Sequence, residues 1–325
     1  MRPISLNIYG IGNALVDILV EVDEQLISEL HLIKGRQHVI TESQSKILFD
    51  RIRFAHAKIA AGGSAANTIA MLSQLGAKAA FCGAVGEDEY GQQYEQETKE
   101  ADVHSLLKKV NGITGHVAIL ITPDAERTMA VNLGVSTSIK ITDINENDIA
   151  SSAIVHIDGY QIEQAPDVCT HVMNLAKKHN VKISIDASDP GIIERNKDEF
   201  ISLIKNDASI IFANEEEAKM LAGKPSEEAI FDLGTWCDTA IIKCGKKGSL
   251  ISHNGEVHMI DCVPAKAIDT TGAGDAYAAG FLYGCITKMP IDKAGRLAST
   301  LAAKVVEQIG ARLEKEDVKQ IIAHF

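Results

Sequence analysis

Short apolar runs alternate with longer amphipathic runs along most of the chain, and this alternation carries the prediction of the fold. The apolar, β-branched runs predict strands at 6–12, 77–85, 153–158, 181–186, 208–214 and 239–245. The amphipathic runs predict helices at 64–75, 88–101, 165–179, 193–206, 214–222, 272–288 and 291–309. Uniformly apolar strands separated by helices indicate a parallel sheet covered on both faces, so the predicted fold class is α/β.

Two segments break this rhythm. Residues 15–40 and 115–133 resemble β-hairpins, with turns at "IKGR" and "PDAE". Together they predict a small β-sheet lid, built from roughly 13–42 and 113–136. Because no repeat or long linker interrupts the chain, we predict one domain over residues 1–325.

Composition narrows the class of function. The net charge of -12 argues against a nucleic-acid or anionic-membrane partner, since both require clustered Lys and Arg. The six cysteines show no metal-ligand spacing and fit reduced thiols in the cytoplasm. The N-terminus resembles a first strand more than a signal peptide, and no apolar run has the length of a membrane span.

The most informative motif is "DTTGAGDAYAAG", residues 269–280. Gly272, Ala273 and Gly274 form a turn before a predicted helix, where free backbone N–H groups and the helix dipole favour an anion. Asp275 follows at the start of that helix. The alternative is an ordinary helix start with Thr271 as N-cap and Asp275 in the first turn, which contributes about 0.3–1 kcal/mol.

Two further motifs predict contacts to hydroxyl groups. "GGSAAN" (62–67) places two glycines before a helix and Asn67 inside its first turns; the alternative is an ordinary helix start capped by Ser64. "GIGNALVD" (10–17) lacks the third glycine of a dinucleotide turn, because position 15 is leucine, and a strand follows. This counts against a dehydrogenase. Asp17 is then either a carboxylate that binds sugar hydroxyls or a solvated residue at a strand edge.

Two later motifs predict contacts to phosphate and metal. In "FANEEEAKML" (212–221), Asn214 and Glu217 share a helical face and could hold water around Mg²⁺, although an Asn cap with an acidic first turn is common. "IIKCGKKGSL" (241–250) brings lysines to a glycine-containing turn that could contact phosphates; the alternative is a hairpin with solvated lysines.

Taken in order, these motifs resemble the ribokinase-like (PfkB-type) carbohydrate kinase family over nearly the whole chain. The first signature is "GGSAANTIAMLSQLG" followed by "GAVGEDEYG", and the second, more specific one is "DTTGAGDAYAAGF". The resemblance implies a doubly wound, mostly parallel α/β fold with a β lid. It also implies transfer of the γ-phosphate of ATP to a hydroxyl, with Mg²⁺.

The resemblance also implies roles for individual residues. Asp275 matches the catalytic base, and Arg127 the arginine over the transferring phosphate. The remaining matches are the anion hole (Gly272, Ala273, Gly274), the acceptor contacts (Asn13, Asp17, Gly63, Asn67), the ATP contacts (Asn214, Lys243, Gly245, Gly248) and the cation contacts (Glu217 for Mg²⁺, Asp269 for a monovalent cation such as K⁺).

The motifs look closest to the adenosine-kinase-like branch, which makes a ribonucleoside the first choice of acceptor. Ala65-Ala66 and Lys243 depart from common family patterns, so a free sugar or a sugar acid remains the alternative. A non-catalytic sugar- or nucleotide-binding regulator of the same fold is the second alternative. We expect either a monomer or a homodimer formed through the lid, and we expect the protein in the cytoplasm.

Overall fold

The computed structural model describes residues 6–52, 56–124 and 126–325, which form two β-sheets with helices around the larger one. The strands are β1 Ile8–Ile11, β2 Leu15–Glu21, β3 Gln37–Val39, β4 Lys58–Gly62, β5 Ala79–Gly86, β6 His104–Val110, β7 Gly115–Ile121, β8 Arg127–Asn132, β9 Ile154–Asp158, β10 Lys182–Asp186, β11 Ile210–Asn214, β12 Thr239–Lys243, β13 Ser249–His253 and β14 Glu256–Ile260. The helices are α1 Glu24–Glu29, α2 Glu42–Ile52, α3 Ser64–Gln74, α4 Glu89–Glu100, α5 Glu146–Ala150, α6 Gly159–Gln164, α7 Pro166–Lys178, α8 Pro190–Asp207, α9 Glu215–Ala222, α10 Ser226–Gly234, α11 Ala273–Ile286, α12 Ile291–Val305 and α13 Lys315–Ile322.

The larger sheet confirms the predicted α/β class. Its strand order is β14-β13-β12-β11-β10-β9-β1-β5-β6, parallel from β12 to β6, with β13 and β14 antiparallel. The six strands and seven helices predicted from hydrophobic pattern are all present. Pattern alone missed β6, which lies at an edge and carries exposed His104 and Lys109. It also missed the β13–β14 hairpin, although its Asn254-Gly255 turn is a typical hairpin signal.

Apolar layers cover both faces of this sheet. On one face, α3, α11 and α12 contribute buried residues such as Ile69, Phe281 and Leu301. On the other face, α7 to α10 contribute Val172, Phe200 and others. The sheet is therefore the middle layer of three, and its carboxyl edge is the place where the two helical layers leave it open.

The smaller sheet has the order β3-β8-β7-β2-β4 and corrects one prediction about the lid. Residues 115–133 do form an antiparallel hairpin of β7 and β8. The hairpin predicted for 15–40 is wrong, because β2 pairs with β4 and β7 whereas β3 pairs with β8. Asp23 caps α1 by accepting a hydrogen bond from the Leu26 N–H (2.9 Å), which starts a helix after β2. Ala125 of the "PDAE" turn lies outside the described residues.

The carboxyl edge of the larger sheet collects polar side chains from neighbouring strands. Asp158, Asp186, Asn214 and Lys243 end β9, β10, β11 and β12 in turn, and Asp158 and Asp186 are direct neighbours in the register. In open α/β sheets ligands bind outside the carboxyl ends of the strands. The fold thus brings these four side chains to the edge where a ligand is expected.

Helices α11 and α12 pack closely at Gly280. A Cβ on Gly280 would stand 2.7 Å from the Ala298 Cα and 2.9 Å from its N. We expect Gly280→Ala to lower the free energy of unfolding by about 1–3 kcal/mol, as overpacking does, measured by urea denaturation. Arg296→Ala, on the exposed face of α12, is the control and should change stability by about 0.5 kcal/mol at most. A Gly280→Ala protein as stable as the unmodified chain would contradict this description of the interface.

Candidate active site

Asp275 lies in the first turn of α11, and two side chains from the facing helix α3 hold its carboxylate. The Ser64 hydroxyl donates to Oδ1 (2.7 Å) and the Asn67 amide donates to Oδ2 (3.0 Å). Thr68 donates to the Asp275 carbonyl (3.3 Å). Gly272 (φ +76°) is the N-cap residue of α11, so the alternative in which Thr271 is the N-cap is wrong. Asp275 is therefore fixed by contacts between helices.

The turn before α11 concentrates hydrogen-bond donors and positive charge. Among the described residues, we find no acceptor for the N–H groups of Gly272 and Gly274, while the Ala273 N–H donates to the Thr270 carbonyl (3.2 Å). The Lys243 ammonium lies 3.1 Å from the place where a Cβ on Gly274 would stand. A glycine at 274 thus leaves room for this cation beside the helix N-terminus, where an anion is favoured.

The glycine pair 62–63 makes room for two polar groups on the other side of Asp275. A Cβ on Gly62 would overlap the Asp17 carboxylate, and a Cβ on Gly63 (φ +94°) would overlap the Asn13 carbonyl oxygen. Asp17 belongs to β2, which lies between β4 and β7, so the alternative of a strand edge is wrong, and its side chain is half-buried. The Asn13 Nδ2 donates to Gln164 (2.7 Å), and its buried Oδ1 has no partner among the described residues.

A cavity of about 560 Å³ opens beside Asp275 between the larger sheet and the smaller one. Four predicted acceptor contacts line it together with Asp275: Asn13, Asp17, Gly63 and Asn67. The smaller sheet and the segment after it contribute an apolar wall: Leu15, Val39, Val117, Ile119, Met129, Val131 and Leu133. At the far end, Arg195 forms a two-point ion pair with Glu163, through Nε (2.7 Å) and an Nη atom (3.0 Å).

A second cluster of polar side chains lies at the ends of β10, β11 and β12. The Lys243 Nζ is 3.0 Å from Asp186 Oδ2, and both side chains are largely buried. Asn214 and Glu217 form a capping box, in which the Asn214 N–H and Nδ2 both donate to the glutamate at 2.7 Å. The alternative that Asn214 caps the helix is thus confirmed, and the role of Asn214 and Glu217 toward Mg²⁺ stays a prediction.

The turn after β12 is a hairpin, as one interpretation of the sequence held. β12 and β13 are antiparallel, and the Cys244 N–H donates to the Gly248 carbonyl (2.8 Å). Gly245 (φ +54°) and Gly248 (φ +91°) both occupy the left-handed region, and a Cβ on Gly248 would overlap the Ile260 carbonyl oxygen. The conformation of the turn explains both glycines, so their contact with ATP stays a prediction.

Arg127 and Asp269 were predicted for separate roles, and the structure pairs them. Arg127 at the start of β8 makes an ion pair with Asp269, which is buried just before the turn of residues 272–274. Asp269 also accepts from the N–H groups of Thr271 (3.0 Å) and Gly310 (2.9 Å). A monovalent cation would have to share this carboxylate with all three donors, and its binding there stays a prediction.

Burial raises the pKa values of several carboxyl groups in the site. Burial raises the pKa of Asp17 to about 7, with nearby Asp275, Asp269 and Glu97 adding to the rise and Arg312 opposing it. Burial likewise raises the pKa of Asp275 to about 6, against the hydrogen bonds from Ser64 and Asn67. The pKa of Asp158 rises to about 6 and that of Glu217 to about 7, also mainly through burial. Burial is therefore the main reason why these carboxyl groups resist ionisation, and neighbouring carboxylates add to it.

Sequence reasoning missed several residues of the site. Asp158 accepts from the Ala65 N–H (3.0 Å) and the Gln161 N–H (2.8 Å), which ties β9 to α3 and α6. Asp158 and Asp186 each end a predicted strand, so their position at the carboxyl edge was a signal that could have identified them. Tyr160 lines the cavity, and Arg312 contacts Asn67 from a segment with no motif.

The model of the pfkB family carbohydrate kinases matches residues 41–317 of this chain. That match covers most of the sequence and includes both helices that hold Asp275. The chain belongs to the pfkB family of carbohydrate kinases. It is therefore a phosphotransferase with a hydroxyl acceptor, a sugar or nucleoside kinase, and kinases of this family use ATP, generally with Mg²⁺.

Individual relatives differ in the acceptor that they are named for. An adenosine kinase structure from Sinorhizobium meliloti is 30% identical with a TM-score of 0.88, covering 98% of this chain and 99% of that one. A 5-dehydro-2-deoxygluconokinase from Bacillus subtilis is 27% identical over 80% of this chain and 86% of its own length. A nucleoside kinase from Methanothermobacter thermautotrophicus is 25% identical over 98% and 95%. The comparisons fix the reaction class and leave the acceptor open.

The described residues also bear on metal ions and on membrane spans. Within the described ranges, no group of three or more His, Cys, Asp or Glu side chains is placed to hold a metal ion by itself. This is compatible with Mg²⁺, which keeps several waters and binds through one or two carboxylates and substrate phosphates. None of the helices that the structure describes has the length and apolar character needed to cross a membrane.

The raised pKa of Asp17 leads to a prediction about stability. A carboxyl group whose pKa is higher in the folded chain destabilises the fold when ionised, and this cost builds up between about pH 4 and 7. We expect Asp17→Asn to raise the melting temperature at pH 7.5, with a gain that shrinks toward pH 4. Asp124→Asn is a control of opposite sign, because Lys34 lowers the pKa of Asp124 to about 2. Calorimetry across this pH range measures both, and a constant or absent gain for Asp17→Asn would contradict the assignment.

Proposed function

We propose that this protein phosphorylates the primary hydroxyl of a neutral ribonucleoside, with adenosine-like nucleosides first. The observation that carries the proposal is the composition of the cavity beside Asp275. The smaller sheet offers an aliphatic surface in which Asp17 lies beside Leu15 and Val117, and Asn13 and Asn67, outside that sheet, add a second, hydrogen-bonding surface. A nucleoside has a flat, largely apolar base and a ribose with several hydroxyls, which matches these two surfaces.

The charge of the cavity supports a neutral acceptor over a sugar acid. Its lining includes Asp17, Asp158, Glu163, Asp189 and Asp275, and Arg195 is the one cation among its described lining residues. Arg195 is already engaged by Glu163. At an effective dielectric of about 20, an acceptor carboxylate 8 Å from one of these ionised groups would be repelled by about 2 kcal/mol. A free, neutral sugar remains the second candidate, because it would meet the same hydroxyl contacts.

The proposed reaction uses the geometry on both sides of Asp275. Asp17 and Asn67 hold the acceptor hydroxyls, and Asp275 takes the proton of the attacking primary hydroxyl as its oxygen bonds to the γ-phosphorus. The bond between that phosphorus and the bridging oxygen breaks, and ADP leaves with the electron pair. Since the pKa of Asp275 is about 6, it is ionised at neutral pH and still basic enough to accept a proton.

The donors behind Asp275 are proposed to stabilise the transferring phosphoryl group. The N–H groups of Gly272 and Gly274, which have no acceptor among the described residues, lie at the helix start, with Lys243 beside Gly274 and Arg127 within reach from the smaller sheet. The Ala273 N–H would have to leave the Thr270 carbonyl to join them. Asn214 and Glu217 would hold Mg²⁺ through water, since Glu217 is buried with both oxygens hydrogen-bonded. Mg²⁺, when bound, neutralises phosphate charge.

Asp275→Asn tests the catalytic assignment. We expect kcat to fall about 10²–10⁴-fold, the usual contribution of a general base, while the Kd for ATP changes little. ADP release measures kcat and calorimetry measures Kd. Asp292→Asn, at an exposed position on α12, should leave both unchanged. A loss of kcat smaller than tenfold for Asp275→Asn would remove the residue from the proposed role.

An acceptor panel tests the substrate class. We expect the highest kcat/KM with adenosine or another ribonucleoside, lower values with free ribose and fructose, and the lowest with sugar acids, measured by ADP release. Turnover that is highest with a sugar acid would overturn the electrostatic argument. Binding without turnover for every member would favour the non-catalytic regulator.

A further inference from the structure

The segment after α12 packs against the anion-binding turn, which is the turn of residues 272–274 proposed above to bind phosphate. Arg312 belongs to this segment. The N–H groups of Ile268 (2.7 Å) and Asp269 (3.2 Å) both donate to the Val306 carbonyl, and the Gly310 N–H donates to the Asp269 carboxylate. Gly272 packs so closely on Ala311 that a Cβ would overlap it. These contacts fix the backbone at 310–312 relative to the turn that precedes Asp275.

Arg312 completes a chain of hydrogen bonds that ends on Asp275. Its Nε donates to Asn67 Oδ1 (3.0 Å), and Asn67 Nδ2 donates to Asp275 Oδ2 (3.0 Å). An amide has one accepting end and one donating end. A cation bound at the oxygen therefore fixes the amide nitrogen toward Asp275, and it also polarises the amide so that this second hydrogen bond strengthens.

Arg312 also lies in the most acidic part of the site. The groups around Asp17 are Arg312, Asp275, Asp269, Glu97 and Tyr94, and Arg127 faces Asp269. Of these, Arg312 is the group that lowers the pKa of Asp17, while the acidic neighbours raise it. The Tyr94 hydroxyl donates to the Gly62 carbonyl (2.9 Å), and Glu97 accepts from the Ala61 N–H (2.7 Å), so both hold β4 beside Asp17.

We propose that Arg312 is a positioning residue for phosphoryl transfer, which orients Asn67 toward Asp275 and balances the charge of Asp17. The Arg312 side chain does not line the cavity and acts through Asn67 and Asp17. The proposal rests on the roles given above to Asp17, Asn67 and Asp275. The alternative is a purely structural role, in which Arg312 only holds the C-terminal segment against α3.

Arg312→Met, Arg312→Lys and Arg312→Gln separate these two possibilities. With adenosine or the panel member of highest turnover, we expect Arg312→Met to lower kcat about 10–100-fold, the range expected when a catalytic group is displaced slightly. The acid limb of the kcat/KM profile should move to higher pH, because Asp17 loses its compensating cation. The KM for ATP should stay within about twofold, since the Arg312 side chain bonds to Asn67, a proposed acceptor contact.

The two conservative variants divide the effect. Arg312→Lys keeps the charge and should restore the position of the acid limb, while Arg312→Gln keeps a donor without charge and should leave the limb shifted. Arg296→Met, an exposed arginine on α12, is the matched control. A purely structural role predicts a lower melting temperature for Arg312→Met with an unchanged pH profile, and that result would overturn the proposal.

A readout that needs no turnover keeps the test independent of the acceptor. The pKa of Asp17 can be followed by ¹³C NMR of labelled aspartate in the free protein, assigned with Asp17→Asn. We expect Arg312→Gln to raise this pKa, and an unchanged value would contradict the charge-balancing role. If Asp275→Asn keeps full activity, the proposed function fails; if only the Arg312 variants behave like the unmodified chain, this inference alone fails.

Discussion

Repulsion between carboxylates is the constraint on which the rest of the site depends. Asp158 and Asp186 come from neighbouring strands, Asp17 from the smaller sheet, and Asp275 from a helix start. Burial is the largest cause of their raised pKa values, and charge adds to it: Asp275 raises the pKa of Asp17 and of Asp158, and Asp186 raises the pKa of Asp158 and of Asp275. Buried like charges of this kind are costly unless cations and hydrogen-bond donors compensate for them.

The compensating groups come from elements far apart in the sequence. Lys243 ends β12 and pairs with Asp186, Arg127 begins β8 and pairs with Asp269, and Arg312 lies beyond α12. Ser64 and Asn67 add neutral donors to Asp275. None of these pairs is local in sequence, so the charge of the site is balanced only when both sheets and the C-terminal segment have assembled.

Small residues allow these groups to approach. A Cβ on Gly12 would stand 2.7 Å from the Ala65 Cβ and 2.9 Å from the Asp158 carboxylate, and a Cβ on Gly62 would overlap Asp17. Gly274 leaves the same kind of space for Lys243. The glycine-rich motifs therefore serve packing, because they set the distance between the helix starts and the polar ends of the strands.

Hydrophobic pattern was sufficient to predict the six central strands of the larger sheet because they are largely buried and apolar, whereas it missed the edge strands β6, β13 and β14. It was insufficient for the smaller sheet, where β2 pairs with β4 and β7 across long stretches of sequence and no local signal sets the partner. In the site, short motifs located Asp275, Asn67 and the glycine turn, because turn chemistry is local. Arg312 has no such motif; only its three-dimensional contact with Asn67 reveals it.

The ion pair between Arg127 and Asp269 links the smaller sheet to the segment that precedes the 272–274 turn. Arg127 belongs to the smaller sheet, and Asp269 lies three residues before Gly272. If phosphate binds at that turn, as proposed, it would compete with Asp269 for the same guanidinium and so act on the smaller sheet through one side chain. Since Asp269 also accepts from the N–H groups of Thr271 and Gly310, release of Arg127 would leave its carboxylate with two donors. The helix start that carries Asp275 would then keep its backbone contacts when Arg127 changes partner.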